Sequence, residues 1–325
     1  MDVAPLDEVD LAAAARLVAR QQRAAHAARG AVPIDLGDDV RAEAHLRGLF
    51  AAGHQGRIAL DNGTTIGLLM GRVDGPASDL PAAGFAVDPT HPDPTQVLSE
   101  LYGGLATDLL ALGGTRHYLS HLDVPRLVRA VTDLGFGRIS YCAVRPVDGV
   151  IPQPPASDEV TVRLATTDDL ETIARLCLVE IGYRYVPPIY TPPPTKPKSF
   201  EDVLEAHRRL DRDGAAHFLA TLGDEDVGVL TLESRGNAPG LCPDDQPFIG
   251  ETATVAAVRG RGVGTALVEA AVRWSIDSDY SGVTVSFQPS NPVSRRFWLG
   301  SGFVPTGFWT VRTIHGSYAT QSVTT

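Results

Sequence analysis

The sequence predicts two copies of one α/β domain in tandem. Three observations lead there. The chain has 325 residues, beyond the size at which one hydrophobic core usually stops growing. A proline-rich stretch, PVDGVIPQPPAS, lies near its middle, and similar runs of strand, helix and hairpin signals stand on either side of it. The copies are expected over residues 1–147 and 159–325, with 148–158 as a semi-rigid linker.

Each half opens on a short strand and a helix. In the first half these are a segment around Val3 to Leu6 and a helix from about Asp10. In the second, EVTVRL alternates as a strand does, and the next residues predict a helix capped by Thr167, with acids in its first turn and an apolar stripe at Leu170, Ile173, Leu176 and Cys177. A hairpin follows in each half: RIALDNGTTIGLLMGRVDG, turning at Asn62-Gly63, and HFLATLGDEDVGVLTLESRG. Gly67 and Gly228 fall at matching places in the two hairpins. Later, VPRLVRAVTDLGFGRISYCAV and NPVSRRFWLGSGFVPTGFWTV each read as a helix closed by Gly-Phe (Gly135-Phe136, Gly302-Phe303) and then a strand. The repeat is therefore a whole domain rather than a solenoid unit.

The copies differ at one place. Between the strand PFIGETATVAAV and a helix with Val263, Ala266, Leu267, Ala270, Ala271 and Trp274 at helical spacing, the second half has VRGRGVGTAL; the first half has THPDPTQVLS. A glycine turn between strand and helix aims the free N–H groups of the first helical turn outward, where the helix dipole also favours an anion. The prolines Pro92 and Pro94 and the acid Asp93 give the first half no such cradle. Spacing tests the named alternatives. A dinucleotide fingerprint requires glycine or alanine where Thr265 or Leu267 stands, and a P-loop requires a lysine followed by serine or threonine. Arginine-glycine RNA tracts are longer and disordered.

Composition narrows the function classes. At 43% hydrophobic and 21% charged, the chain reads as soluble and globular, without an apolar run of membrane-spanning length. Its start, MDVAPLDEVD, lacks the features of a signal peptide, so a cytoplasmic protein without membrane association is expected. Cys142, Cys177 and Cys242 have no metal-ligand spacing, so buried thiols and no metal are expected. A formal charge of −11, with acids spread along the chain, leaves no basic face for nucleic acid and favours cationic partners, amines among them.

The pattern Arg259-x-x-Gly262-x-Gly264, the strand GVTVSFQ, Asn291, and a helix ending at Gly302-Phe303 together resemble the GNAT superfamily of acyl-CoA-dependent N-acyltransferases. The resemblance covers Val160 to His315 and, more weakly, the first half. It implies tandem GNAT-fold domains, each a mixed, mostly antiparallel sheet flanked by helices, the first degenerate and the second binding acetyl-CoA or another acyl-CoA as co-substrate. It also implies acyl transfer to an amine of a small molecule by direct attack; a homodimer stays open. The pyrophosphate would lie on the backbone of Arg259, Gly260, Arg261, Gly262, Val263, Gly264 and Thr265. The pantetheine arm would lie along Thr254, Val255 and Ala256, with Asn291 bonding it from the other side or capping the helix.

Catalysis requires a base for the amine proton and an acid for the departing thiolate. Glu251, at the start of the family's fourth strand, and Glu233, near the end of the third, are the candidate bases. Trp298 stands where many members carry an acidic tyrosine, and Ser294 lies one turn before it. Tyr183, Tyr185 and Tyr190, among prolines, suggest an aromatic lip over the acceptor site or packing against the other domain. Because an indole is not a usable acid, a catalytically inactive coenzyme A-binding protein or sensor is the alternative, and a structural module is a third reading.

Overall fold

The computed structural model describes residues 1–147, 159–185, 187–189, 198–234 and 238–315; the linker expected over 148–158, and Tyr190, lie outside the described residues. The chain divides into two units. One comprises Met1–Cys142, Ala238–Pro243 and Pro305–Thr325, the other Ala143–Asn237 and Asp244–Val304.

In chain order the first unit contributes β1 (Asp2–Pro5), α1 (Leu11–Ala28), α2 (Asp39–Ala51), β2 (Gln55–Asp61), β3 (Thr64–Asp74), β4 (Ala77–Leu80), β5 (Phe85–Val87), α3 (Pro94–Ala111), β6 (Arg116–Leu122), α4 (Pro125–Asp133) and the start of β7 (Gly137–Pro146), whose residues from Ala143 onward group with the second unit. Strands β1, β2 and β3 are antiparallel neighbours, β3 pairs with both β4 and β5, and β4 runs parallel to β6. Period-two alternation on β3 sends Leu69 to the face covered by α3 and α4, and Leu68 and Met70 to the face covered by α1 and α2. Each such fully buried side chain contributes about 1.5–3 kcal/mol.

The second unit contributes β8 (Val160–Leu164), α5 (Leu170–Tyr183), α6 (Phe200–Arg212), β9 (Ala216–Leu222), β10 (Glu225–Glu233), β11 (Phe248–Thr254), α7 (Val263–Asp277), β12 (Gly282–Phe287) and α8 (Pro292–Gly300). The last strand, β13 (Val304–Thr313), is antiparallel to β6, from Gly307 opposite Leu122 to Thr313 opposite Arg116. From Pro305 onward it groups with the first unit, although the sequence boundaries place it in the second half. Strands β8 to β11 form an antiparallel meander and β12 is parallel to β11. Helices α5 and α6 cover one face, through Leu170, Ile173, Cys177, Val203 and Leu204 against Leu219, Val229 and Ala253. Helix α7 covers the other, with Val263 and Leu267 over Gly228.

Both units are thus mixed, mostly antiparallel sheets flanked by helices. One local expectation is corrected. The cap before α5 is Thr166, not Thr167: the Thr166 N–H donates to the Asp169 carboxylate at 2.8 Å and its hydroxyl donates to the same oxygen at 3.1 Å. Both residues are threonine, and the box closes on the one with an acid three positions on. Among the described residues no helix is long and apolar enough to cross a membrane.

Candidate functional site

Beyond β11 the chain makes a short 3-10 turn at Ala256–Val258 and reaches Gly260 and Gly262 with φ of +80° and +85°, a left-handed conformation that side chains disfavour. Gly262 is the N-cap of α7. The backbone N–H groups of Arg259 and Arg261 are engaged within the turn, donating to the Ala256 and Val258 carbonyls at 3.3 and 3.2 Å. The amides of Val263, Gly264 and Thr265 are those of the first helical turn, which a helix leaves unpaired. These three stand at the positive end of the α7 dipole, and of the expected backbone cradle only the Arg259 and Arg261 amides are turned to carbonyls of the loop itself. The Arg259 guanidinium lies over the Tyr183 ring, 4.2 Å from its centroid, and Arg261 pairs with Glu159.

The sheet opens beside this turn. Strands β11 and β12 pair at Phe248 with Thr284 and at Ile249 with Val285, while β11 continues to Thr254 with its other edge held by β10. The Val255 N–H donates to the Val227 carbonyl at 2.9 Å. The expected opening around Thr254, Val255 and Ala256 thus begins as early as Gly250.

A carboxylate stands at the start of that opening. Between Leu230 and Leu232 the β11 partner steps from Thr252 to Ile249, so Gly250 and Glu251 together oppose Thr231. Such a bulge re-aims the side chains it carries, and bulges are over-represented next to active sites. Here it sets the Glu251 carboxylate 3.3 Å from Nε2 of His207 on α6, beside the Cys177 thiol of α5. His207 and Cys177 are buried. Burial pushes the pKa of the Glu251 carboxyl up, but His207 and the Cys177 thiol outweigh it and hold the group below its ordinary value. Glu233 is pushed up by burial and by the Glu251 charge. It lies against Gly250, whose lack of a side chain makes room for it: a Cβ there would fall 2.0 Å from a Glu233 oxygen. His217, with Nδ1 3.1 Å from the Thr231 hydroxyl, is lowered to about 4 by burial and then by His207. Glu180 is raised by burial against the pull of Arg184, its partner at 2.8 Å.

The remaining expected residues take structural positions. The Asn291 side-chain oxygen accepts from the Ser294 N–H at 3.1 Å, capping α8. Trp298 is 6% exposed, with its ring edge-on to Phe297 and Phe303 at 4.9 and 5.2 Å. Gly264 faces Phe297, whose Cζ would lie 3.2 Å from a Cβ at that position. His207, Cys177, His217 and Phe297 were not singled out as site residues from sequence. They come from separate elements, and each looks locally like an ordinary core or helix residue.

In the first unit the matching loop is filled by its own groups. The Asp93 carboxylate accepts from the Gln96 N–H at 3.0 Å, so a negative charge already sits on the N-terminus of α3. Arg126 donates to the carbonyls of His91 and Pro92, each at 2.6 Å.

A mixed sheet thus opens beside a glycine turn that feeds a helix, in a chain where the sheet architecture occurs twice. Residues 183–303 match the acetyltransferase (GNAT) family. A GCN5-related N-acetyltransferase from Sphaerobacter thermophilus is similar with a TM-score of 0.62 and 15% sequence identity, over 97% of this chain and 96% of that one. A tandem GNAT protein from the clavulanic acid biosynthesis pathway gives 0.54 and 14%, over 99% of each chain. An acetyltransferase of the GNAT family from Colwellia psychrerythraea gives 0.51 and 12%, over 97% of this chain and all (100%) of that one. At these identities the likeness is one of fold. No curated protein is similar in sequence.

Proposed function

We propose that the second unit transfers an acetyl or other acyl group from acyl-CoA to an amine of a small molecule by direct attack. The observation that supports this reading best is the bulge in β11 that carries Glu251, at the point where β11 and β12 cease to pair. The amides of Val263, Gly264 and Thr265, with Arg259, would hold the pyrophosphate, and the free edge of β11 would hold the pantetheine arm. The amine nitrogen attacks the thioester carbonyl carbon; the C–N bond forms, the C–S bond breaks, and the amine proton passes to Glu251, directly or through a water. Because the Glu251 carboxyl is held low, it is an ionised acceptor throughout the neutral range. The carboxylates of Glu233 and Glu180 add negative charge nearby, which suits an acceptor arriving as an ammonium that releases one proton to solvent before its nitrogen attacks. The thiolate departs without help from Trp298, and positioning the two reactants can alone lower the barrier by roughly 7–11 kcal/mol.

The test is thiol release from acetyl-CoA across a panel of amines. Glu251→Gln is expected to lower kcat/KM by about 10²–10⁴-fold while leaving acetyl-CoA binding intact by calorimetry. One observation favours a second reading: the residue in the tyrosine position is a buried indole, as suits a coenzyme A sensor. Tight acetyl-CoA binding without turnover on any amine would establish the sensor and overturn the transferase.

A further inference from the structure

The geometry points to a site for one divalent metal ion of the zinc class, held by Sγ of Cys177, Nε2 of His207 and a carboxylate oxygen of Glu251. This goes beyond the transferase reading and does not depend on it. The three donors come from α5, α6 and β11, and their ligand atoms all lie within 4.8 Å of one another.

The spacing of His207 and Glu251 fits an ion better than it fits a hydrogen bond. Oxygen Oε2 of Glu251 is enclosed and has no well-aligned hydrogen-bond donor, although Nε2 of His207 is only 3.3 Å away. A tetrahedral ion holding one nitrogen and one oxygen at about 2.0 Å places those two atoms about 3.3 Å apart. The donor set also selects among ions. Calcium and magnesium take oxygen ligands, whereas one sulfur, one nitrogen and one oxygen suit a borderline-soft ion such as Zn²⁺. Three protein ligands leave the fourth tetrahedral position for water or another ligand. The charge balance favours a cation. The carboxylates of Glu180 and Glu233 act on Glu251 as like charges, and the cations nearby among the described residues, Arg184 and Lys198, act on Glu180, Arg184 as its ion-pair partner.

Binding replaces the thiol proton of Cys177, which leaves to solvent as the sulfur becomes a thiolate ligand. A carboxylate that ligates an ion is no longer free to accept an amine proton, so bound Zn²⁺ is expected to inhibit acyl transfer by the same chain.

The test uses full-length protein freed of metal with a chelator and titrated with Co²⁺, whose tetrahedral thiolate complexes absorb in the near ultraviolet and visible. Saturation at one Co²⁺ per chain with a thiolate charge-transfer band is expected. That band should be absent in Cys177→Ala, and affinity should fall by about tenfold or more in His207→Gln. Circular dichroism checks that each variant is folded, and Glu251→Gln, close in shape to the native residue, supplies the comparison if the others are not. No charge-transfer band at excess Co²⁺, or unchanged uptake in the folded variants, overturns the site. Neither result alters acyl transfer by the metal-free chain, so the two readings fail separately.

Discussion

Gly228 of β10 lies under α7, and Gly67 of β3 lies under α3. A Cβ at residue 228 would fall 2.8 Å from Val263 Cγ1, 3.1 Å from Leu267 Cδ1 and 3.3 Å from the Ala253 carbonyl oxygen. At residue 67 it would fall 2.6 Å from Val97 Cγ1 and 2.8 Å from Leu101 Cδ1. In both units a helix packs so closely on the sheet that an added methyl must displace it. Overpacking of this kind costs about 1–3 kcal/mol, and alanine recovers about 0.4–1 kcal/mol by restricting the unfolded chain. Gly228→Ala and Gly67→Ala should therefore each lose about 0.5–2 kcal/mol, seen as a fall in Tm of about 2–4 °C per kcal/mol for a unit of this size.

Their effects on binding should differ. Val263 is the first residue of α7, so its displacement moves the amides offered to the pyrophosphate, whereas the start of α3 already carries Asp93. Loss of one charge-assisted bond is worth about 1.5–3 kcal/mol, or about tenfold or more in Kd. Calorimetric titration with acetyl-CoA should show that weakening in Gly228→Ala and a native Kd in Gly67→Ala. Equal weakening in both, or native binding by a Gly228→Ala protein with a lowered Tm, would refute an anion cradle at the start of α7.

Arg259→Ala should weaken acetyl-CoA binding by about tenfold or more and flatten its salt dependence, as read by calorimetry at two ionic strengths; an unchanged Kd would remove Arg259 from the site. Stability should fall in acid through His121 and His217, whose folded values burial lowers from 6.5 to about 4. Between those values the unfolded chain binds protons that the folded chain does not, so stability is lost as the pH drops, by up to about 1.4 kcal/mol per pH unit for each histidine. Urea unfolding at about pH 7 and about pH 5 measures this; His121→Gln should lessen the slope, and equal stability at the two pH values would contradict it. Ending the chain at Val304 removes the strand that pairs with β6, so the first unit should melt earlier or precipitate. A fragment of residues 1–147 with native circular dichroism and a native Tm would refute that dependence.

What was legible in the sequence was what is local. The hairpin at Asn62-Gly63, the apolar stripe of α5 and the Arg259-x-x-Gly262-x-Gly264 turn are each written in a run of neighbouring residues, and each forms where expected. The meeting of Cys177, His207 and Glu251 is written nowhere locally. It needs α5 and α6 packed over β11, and a bulge that breaks the alternation by which a strand's faces are read. The place of β13 beside β6 is a choice among sheet edges that the local pattern of Val304–Thr313 does not distinguish.

Even the glycine turn holds a distinction that spacing hides. Gly260 and Gly262 have open space where a side chain would go and are fixed by their positive φ. Gly264 carries no such backbone constraint and instead meets the Phe297 ring of α8. Alanine at 260 or 262 should therefore deform the turn itself, whereas alanine at 264 acts first on the packing of α7 against α8. The third glycine of the turn belongs as much to the seam between these helices as to the anion it was expected to admit.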